Sequence, residues 1–466
     1  MNSRRREFIK LAGLSSLSIL SNRLLASQFE VGKQRAEDEM YRFEPKFNMC
    51  GYAAPQIDKV RVGLIGLGGR GEAAVHRLNH IDGMEIAAVC DIRTNVADKV
   101  AAKVTNGKPA IYTEKEDAWK ALCDRDDIDL VYICTPWHLH TPMAVYSMKA
   151  GKHVAVEVPA ATTVDECWEL VEISEATKRH CMMLENCCYD FFELMTLNMA
   201  RQGFFGDIVH AEGAYIHDLV WGNFNKTSYY DMWRLKENYR NGNLYPTHGL
   251  GPVCQIMDIN RGDRMDYLTS MSSADFTMAP KAKELAKEDS FFKQFADKTF
   301  RGNMNTSTIR TISGRTIMLQ HDVSSPRPYS RIHAVSGTKA FAQKWPEPGK
   351  VAVGEKWLTD KKMKELESQY MPEIVQQVGE MAKKIGGHGG MDFMMDWRLI
   401  DCLRNGLPLD QDVYDAALWS VIAPLSEESV KKRSMAVDVP DFTKGAWKTN
   451  AKVELTLKGG GTTLFK

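Results

Sequence analysis

A chain of 466 residues has room for two or three domains. Its 60 Lys and Arg are matched by 60 Asp and Glu, so the formal net charge is zero, which removes any electrostatic case for nucleic acid or an anionic membrane as partner. Ten cysteines include no C-x-x-C pair, and Cys187 and Cys188 are adjacent, which speaks against a disulfide framework or a zinc site.

The chain opens MNSRRREFIKLAGLSSLSIL. Arg4, Arg5 and Arg6 form a positive head, a mildly apolar run follows to Leu25, and Ala26 supplies a small residue, the anatomy of a secretory signal. The run is too short and too rich in serine to remain as a membrane-spanning helix, so no stable membrane anchor is expected. RREFIK resembles the twin-arginine type. Residues 1–26 are therefore expected to be a twin-arginine-type signal peptide and 27–58 a linker or arm. The predicted location is outside the cytosol, in the periplasm. Cysteines lying in apolar runs fit a chain that folds before export.

From Lys59 strand and helix patterns alternate. KVRVGLIG, MEIAAVCD, IDLVYICTP, KHVAVEVP and HCMMLEN are short apolar runs. Helical stretches over 94–104, 114–123, 141–150 and 163–179 separate them. The pattern predicts an α/β fold, with an N-terminal Rossmann doubly wound parallel sheet over 59–188. Gly66-Leu67-Gly68-Gly69-Arg70-Gly71 is a G-x-G-x-x-G that follows a strand and opens a helix. Gly66 allows the tight turn, Gly68 lets the backbone approach a pyrophosphate, and Gly71 lets the helix pack close. Asp91 ends the next strand, where a carboxylate binds ribose hydroxyls and repels a 2′-phosphate, so NAD is favoured over NADP. Arg93 two residues on is the one feature that argues the other way. Later strand ends place Trp137 and His140, Glu157 and Val158, and Asn186 at the same edge.

GDIVHAEGAYIHD reads as the first strand of a second domain over 189–440. That domain is predicted to be α+β, with a mostly antiparallel open sheet that includes a hairpin of strands 306–313 and 316–322. Helices near 391–405 and 411–432 are expected at its edge, and 441–466 is an uninformative tail. Between Trp221 and Tyr245 seven of 25 residues are aromatic, against 9% for the chain. Aromatic faces pack on the C–H faces of sugars, while Arg234 and neighbouring Asn side chains bind hydroxyls and acyl oxygens. His248, between Pro246 and Gly249 before an apolar helical run, is the candidate for proton transfer. No clustered metal-ligand spacing occurs near these residues, and no metal is expected.

Residues 59–190 resemble the glucose–fructose oxidoreductase and inositol dehydrogenase family, on the glycine turn and on CTPWHLHTPMAVYSMKAGKHVAVEVPAATT. That family usually carries Glu-Lys-Pro where this chain reads Glu157-Val158-Pro159, and valine can neither take nor give a proton. GNLYPTHGLGPV, SSPRPYSRIHAVSGTKA and GGHGGMDFMMDWRLIDCLRNG are similar to glycoside hydrolase family 109, the NAD-dependent α-N-acetylgalactosaminidases, from about Lys59 to Arg433. The resemblance implies His248 and Tyr245 at the reacting sugar; His248 is the candidate for the C3 hydroxyl proton, and either Tyr215 or Tyr245 for the C2 proton. The resemblance implies sugar contacts from Tyr215, Arg234, Tyr245, Pro246, Thr247, His248 and Tyr329. The NAD contacts it implies are Gly66, Gly68, Gly69, Arg70, Gly71, Asp91, Trp137, His138, Leu139, His140, Glu157, Val158 and Asn186. GHGG at 387–390 either closes the site or caps the following helix through His388.

Such an enzyme would hold NAD tightly and recycle it. Temporary oxidation of the sugar at C3 acidifies the C2 hydrogen, elimination breaks the C1–O bond, and water then adds before the carbonyl is reduced again. This departs from the usual pair of carboxylates. It also explains an export signal on a nucleotide-binding protein, since a recycled cofactor never has to be replaced. The expected partner is a small molecule or glycan ending in α-N-acetylgalactosamine, with homo-oligomerisation left open. Two rival readings remain: a periplasmic sugar oxidoreductase with tightly bound NAD(P), and a non-catalytic sugar-binding protein.

Overall fold

A computed structural model describes residues 47–466. The expected signal peptide and most of the expected arm lie outside the described residues.

The apolar runs become strands because nearly every side chain in them is buried. β1 (Val60–Ile65), β2 (Met84–Cys90), β3 (Ala110–Tyr112), β4 (Leu130–Ile133), β5 (His153–Val156) and β6 (Cys181–Met183) form a six-stranded parallel sheet in the order β3-β2-β1-β4-β5-β6. All side chains of β4, β5 and β6 are buried, as expected of strands covered by helices on both faces. The helices include α1 (Gly69–Leu78), α2 (Thr94–Ala101), α3 (Ala118–Cys123), α4 (His140–Lys149) and α5 (Val164–Thr177). α5 begins where its sequence says it should. Thr163 Oγ1 accepts the Glu166 amide at 3.2 Å, and Glu166 returns the contact to the Thr163 amide at 3.1 Å, a reciprocal cap.

After α6 (Phe191–Arg201) the chain enters a second sheet with β7 (Ile208–Ile216). Helices α7 (Trp233–Glu237) and α8 (Thr247–Ile256) precede β8 (Met265–Ser272), β9 (Asn305–Thr311), β10 (Thr316–Asp322), β11 (Ala334–Gly337), β12 (Ala340–Gln343), β13 (Lys350–Val353) and β14 (Lys356–Trp357). With β15 (Val437–Asp438) these make nine strands in the order β14-β13-β12-β11-β7-β10-β9-β8-β15. Every pairing is antiparallel except β7 with β10, where Tyr215 lies beside His321.

Two long helices follow, α9 (Met391–Asn405), which packs on α1 and β1, and α10 (Val413–Lys431), which packs on α5, β6 and β8. Asp412 and Asp415 cap α10 and bind the buried Arg261 at 2.8 and 2.7 Å. The tail is not idle. Phe465 bridges to Ile81, and the Trp397 indole N–H donates to the Thr463 carbonyl at 3.0 Å. On the other side the Ile57 amide donates to Leu403 O at 3.1 Å. Both ends of the described chain are thus fastened to α9. All ten cysteines are free thiols. No helix among the described residues is long and apolar enough to cross a membrane.

Candidate active site

The glycine turn fits a dinucleotide. Gly66 has φ +86°, and a Cβ there would strike the Cys134 carbonyl at 2.7 Å; one on Gly71 would strike Gly66 O at 2.0 Å. These two glycines are required by the turn and by the close approach of α1. A Cβ on Gly69 would meet nothing within 4 Å, so open space lies where α1 presents its first amides, a setting suited to phosphate. Asp91 sits below the turn and accepts the Leu67 amide at 2.9 Å. Burial alone would raise its carboxyl, but bonds from Arg93 and the Leu67 amide outweigh that and lower it. Arg93 also donates from its amide, Nε and Nη2. Together these fill the acceptor capacity of the carboxylate, so a ribose would have to displace the half-exposed Arg93 side chain.

Other residues expected at NAD are drawn together by a group that the sequence reading passed over. Arg70 binds Glu157 at 2.6 Å and Asp392 at 3.1 Å, and Asn186 Nδ2 also donates to Asp392. Asp392 comes from the first turn of α9, and it accepts His388 Nδ1 at 2.9 Å. His388 therefore ties the GHGG segment to the nucleotide edge and does not cap α9, whose N-cap is Gly390. Burial would raise the Asp392 carboxyl; His388 and the two guanidiniums of Arg70 and Arg77 drive it far below the usual range. The signal in the sequence was an Asp just after a glycine run. His140 has both ring nitrogens 2.7 Å from backbone carbonyls, those of Thr135 and Pro159, so its side chain braces two strand ends. Trp137 and Val158 are buried, His138 is exposed and Leu139 is half-buried.

Trp137 carries the nucleotide edge into the second domain. Its ring stacks on Tyr245 at 5.6 Å. Tyr245 meets Tyr215 at 4.6 Å and His248 at 4.9 Å, and His248 meets Tyr215 at 5.3 Å. The Arg234 guanidinium lies 5.3 Å from the Tyr245 ring and 5.6 Å from Trp137, within cation–π range. Tyr329 lies edge-on to Tyr215 at 6.2 Å, and Pro246 and Thr247 are buried at the start of α8.

The juxtaposition of Tyr215 and His248 is set by two glycines. A Cβ on Gly213 would meet Gly249 O at 2.4 Å, and one on Gly249 would meet the Ala214 nitrogen at 2.3 Å. α8 thus rests backbone against backbone on β7. The aromatic segment, by contrast, splits. Trp221 is 78% exposed and Tyr230 52% exposed, while Phe224 and Tyr239 join Phe300 in a separate cluster. Only Tyr229, Trp233 and Tyr245 reach the Trp137–Arg234 group.

His248 has a partner the sequence reading missed. Its Nδ1 lies 2.8 and 2.9 Å from the two carboxylate oxygens of Glu185. Glu185 is fully buried; burial opposes its charge, yet His248 and the Cys187 amide outweigh that and lower its carboxyl. Glu185, Cys187 and His248 also place three donor atoms within 4.8 Å of one another, a grouping no sequence spacing revealed. Burial pushes the Cys187 thiol well up, and Sγ lies 3.5 Å from Asn186 Oδ1 as a donor. Nδ1 of His248 is engaged by Glu185, so the imidazole and the carboxylate form a hydrogen-bonded pair beside the Cys187 thiol. Burial likewise raises the hydroxyls of Tyr215 and Tyr245, against the pull of Arg234. Tyr215 OH lies 3.0 Å from Nδ1 of His217, an imidazole whose pKa burial and Arg234 lower from its ordinary value.

A family model of an NAD-binding Rossmann fold of the oxidoreductase family matches residues 60–185. A model of the glycosyl hydrolase 109 C-terminal domain matches 189–449. The chain is similar to a glycosyl hydrolase family 109 protein of Shewanella pealeana, with 48% identity over 461 residues that cover 96% of this chain and 98% of that one. It is 50% identical to an alpha-N-acetylgalactosaminidase of Bacteroides fragilis over 410 residues, 86% of this chain and 96% of the relative. Among solved structures, an NAD binding oxidoreductase from Klebsiella pneumoniae superposes with a TM-score of 0.63 at 18% identity, covering 82% of this chain and all of its own; this likeness speaks to the fold alone. With a nucleotide-binding edge joined to a Tyr–His cluster and matches over both halves, the chain belongs to glycosyl hydrolase family 109.

Proposed function

We propose that this NAD-dependent glycosidase releases terminal α-N-acetylgalactosamine by oxidation, elimination, hydration and reduction, with no net use of cofactor. The observation that carries the reading is His248, backed by a buried carboxylate and flanked by Tyr215 and Tyr245 beside the nucleotide edge. A two-carboxylate displacement lacks its parts here: Glu185 is committed to His248, and Glu157 to Arg70.

Bound NAD supplies reversible oxidation at a sugar carbon. Gly68, Gly69 and the first amides of α1 would cradle its phosphates, with Asp91 at the ribose and Asn186 and Glu157 farther along the same edge. His248 would take the proton of the C3 hydroxyl. Once C3 is a carbonyl, the C2 hydrogen is acidic, and Tyr215 is the better of the two phenols to receive it. Its hydroxyl lies 3.0 Å from Nδ1 of His217, which would take the phenolic proton as the phenol oxygen receives the one from C2. Tyr245 and Arg234 would then hold the sugar ring and its acyl oxygen.

The test is to incubate the purified protein with an aryl α-N-acetylgalactosaminide while following sugar release and nicotinamide absorbance. Release with a transient rise in absorbance is expected. Reduced nicotinamide that accumulates without sugar release would replace the glycosidase with a sugar oxidoreductase. Tight retention of cofactor and export by the twin-arginine route belong to the same proposal, supported by Arg4-Arg5-Arg6 and by ten free thiols, most of them buried. NAD is accordingly expected to copurify near one per chain; a denatured sample that releases no nicotinamide nucleotide would count against retention. Hydrolysis should also survive EDTA, because a C3 ketone acidifies C2 without a Lewis acid. Loss on chelation with recovery in Mn²⁺ would turn Glu185, Cys187 and His248 into ligands after all.

A further inference from the structure

We propose that Glu185 is a positioning residue that fixes the tautomer and the aim of His248. The inference rests on the reading of His248 as the group that takes the C3 hydroxyl proton. An ionised carboxylate can only accept hydrogen bonds. With both oxygens within 2.9 Å of Nδ1, the proton of the neutral imidazole resides on Nδ1. Nε2 then carries the lone pair, and it makes no hydrogen bond to the described residues. The opposite tautomer would present a second donor to the hydroxyl and could accept nothing from it.

The carboxylate is itself immobilised. The Cys187 amide donates to Oε1 at 3.0 Å, and Gln411 Nε2 donates to the Glu185 carbonyl at 3.0 Å. A Cβ on Gly251 would meet Glu185 Cγ at 2.9 Å, so the side chain is wedged against α8. Glu185 is wholly buried while His248 keeps 13% of its side chain exposed, so one end of the pair is sealed and the other opens to the site. The remaining groups that face His248 are Cys187, Tyr215, Tyr245 and His217. None of these is a carboxylate. Removing Glu185 therefore leaves nothing to hold a proton on Nδ1. In the reaction the C3 hydroxyl proton passes to Nε2 and the Nδ1 proton stays where it is. Glu185 remains charged and faces the imidazolium so formed, as the orienting acid of a catalytic triad does.

The experiment compares Glu185→Gln, His248→Ala and the double variant, each with its bound NAD, on an aryl α-N-acetylgalactosaminide. Glu185→Gln is expected to lower kcat by at least about tenfold, and by no more than His248→Ala does. KM and bound nicotinamide should stay near wild type. The double variant should be no slower than His248→Ala alone, because Glu185 acts only through that ring. A double variant slower by the product of the two single losses would overturn the proposal, as would full kcat in Glu185→Gln beside a crippled His248→Ala; the latter leaves the His248 reading intact. Full kcat in His248→Ala would instead remove that reading, and the proposal with it. Should Glu185→Gln fail to fold, Glu185→Asp keeps the charge but withdraws it from Nδ1. A loss confined to the His248 background is again expected, and full kcat overturns the idea.

Discussion

His248→Ala is expected to slow hydrolysis by about 10²–10⁴, the worth of a positioned general acid–base group, while bound NAD stays in place. The residues that fit the nucleotide lie on α1 and at the ends of β2, β5 and β6, whereas His248 begins α8, so losing the imidazole leaves the cradle untouched. The ring is partly exposed toward Tyr215 and Tyr245, and its removal opens no sealed core cavity. An isotopic readout separates the mechanism from its rivals. In heavy water the wild-type enzyme should place deuterium at C2 of the released sugar, because elimination breaks that C–H bond. Direct displacement at C1 never touches C2. Full retention of hydrogen at C2 by an actively hydrolysing enzyme would rule out the elimination route, whatever His248→Ala does.

Asp396→Ala is expected to cost about 3–5 kcal/mol of stability, the usual penalty for stranding one member of a buried ion pair. Arg77 on α1 is 2% exposed and donates from Nε to Asp396 at 2.6 Å; Tyr132 OH donates to the same carboxylate at 2.9 Å. Asp392 is 3.6 Å from the other end of the guanidinium, too far to replace the lost bond. The pair joins the nucleotide domain to α9, so the damage should appear as a lower urea midpoint for the whole molecule. An apolar pair, Arg77→Met with Asp396→Leu, should recover most of the loss, since well-packed apolar side chains often substitute for a buried ion pair without penalty. An unchanged midpoint in Asp396→Ala would show that the two parts are held together by packing alone.

The nucleotide half was legible because its code is local. Each buried run is short, most end near glycine or an acid, and the strand-helix alternation dictates a parallel sheet. The four helices anticipated there are all present, with α3 starting four residues later than its pattern suggested. The hairpin of β9 and β10 and the two long helices were also readable from turn residues and periodicity. What could not be read was long-range pairing. Nothing local says that β7 lies parallel to β10, which puts Tyr215 beside His321. Glu185 was overlooked for the same reason: Asn186 drew attention as a strand-end residue, and the meaning of its neighbour emerges only when α8, 63 residues on, delivers His248. The aromatic run misled in the other direction. Composition reports how many rings a segment holds, but the backbone of the loop decided that Trp221 and Tyr230 face solvent.

The contact between Gly213 and Gly249 bears on how this enzyme will answer to mutagenesis. A substitution scan scored on hydrolysis would rank both positions with the reacting residues, although neither has a side chain to offer a sugar. Any Cβ there would lever α8 off β7 and carry the imidazole away from the phenol. Efforts to retune substrate preference therefore have more freedom in the rings around Arg234 than in the two smallest residues of the site, and a library that randomises Gly213 or Gly249 spends its diversity on misplaced catalysts.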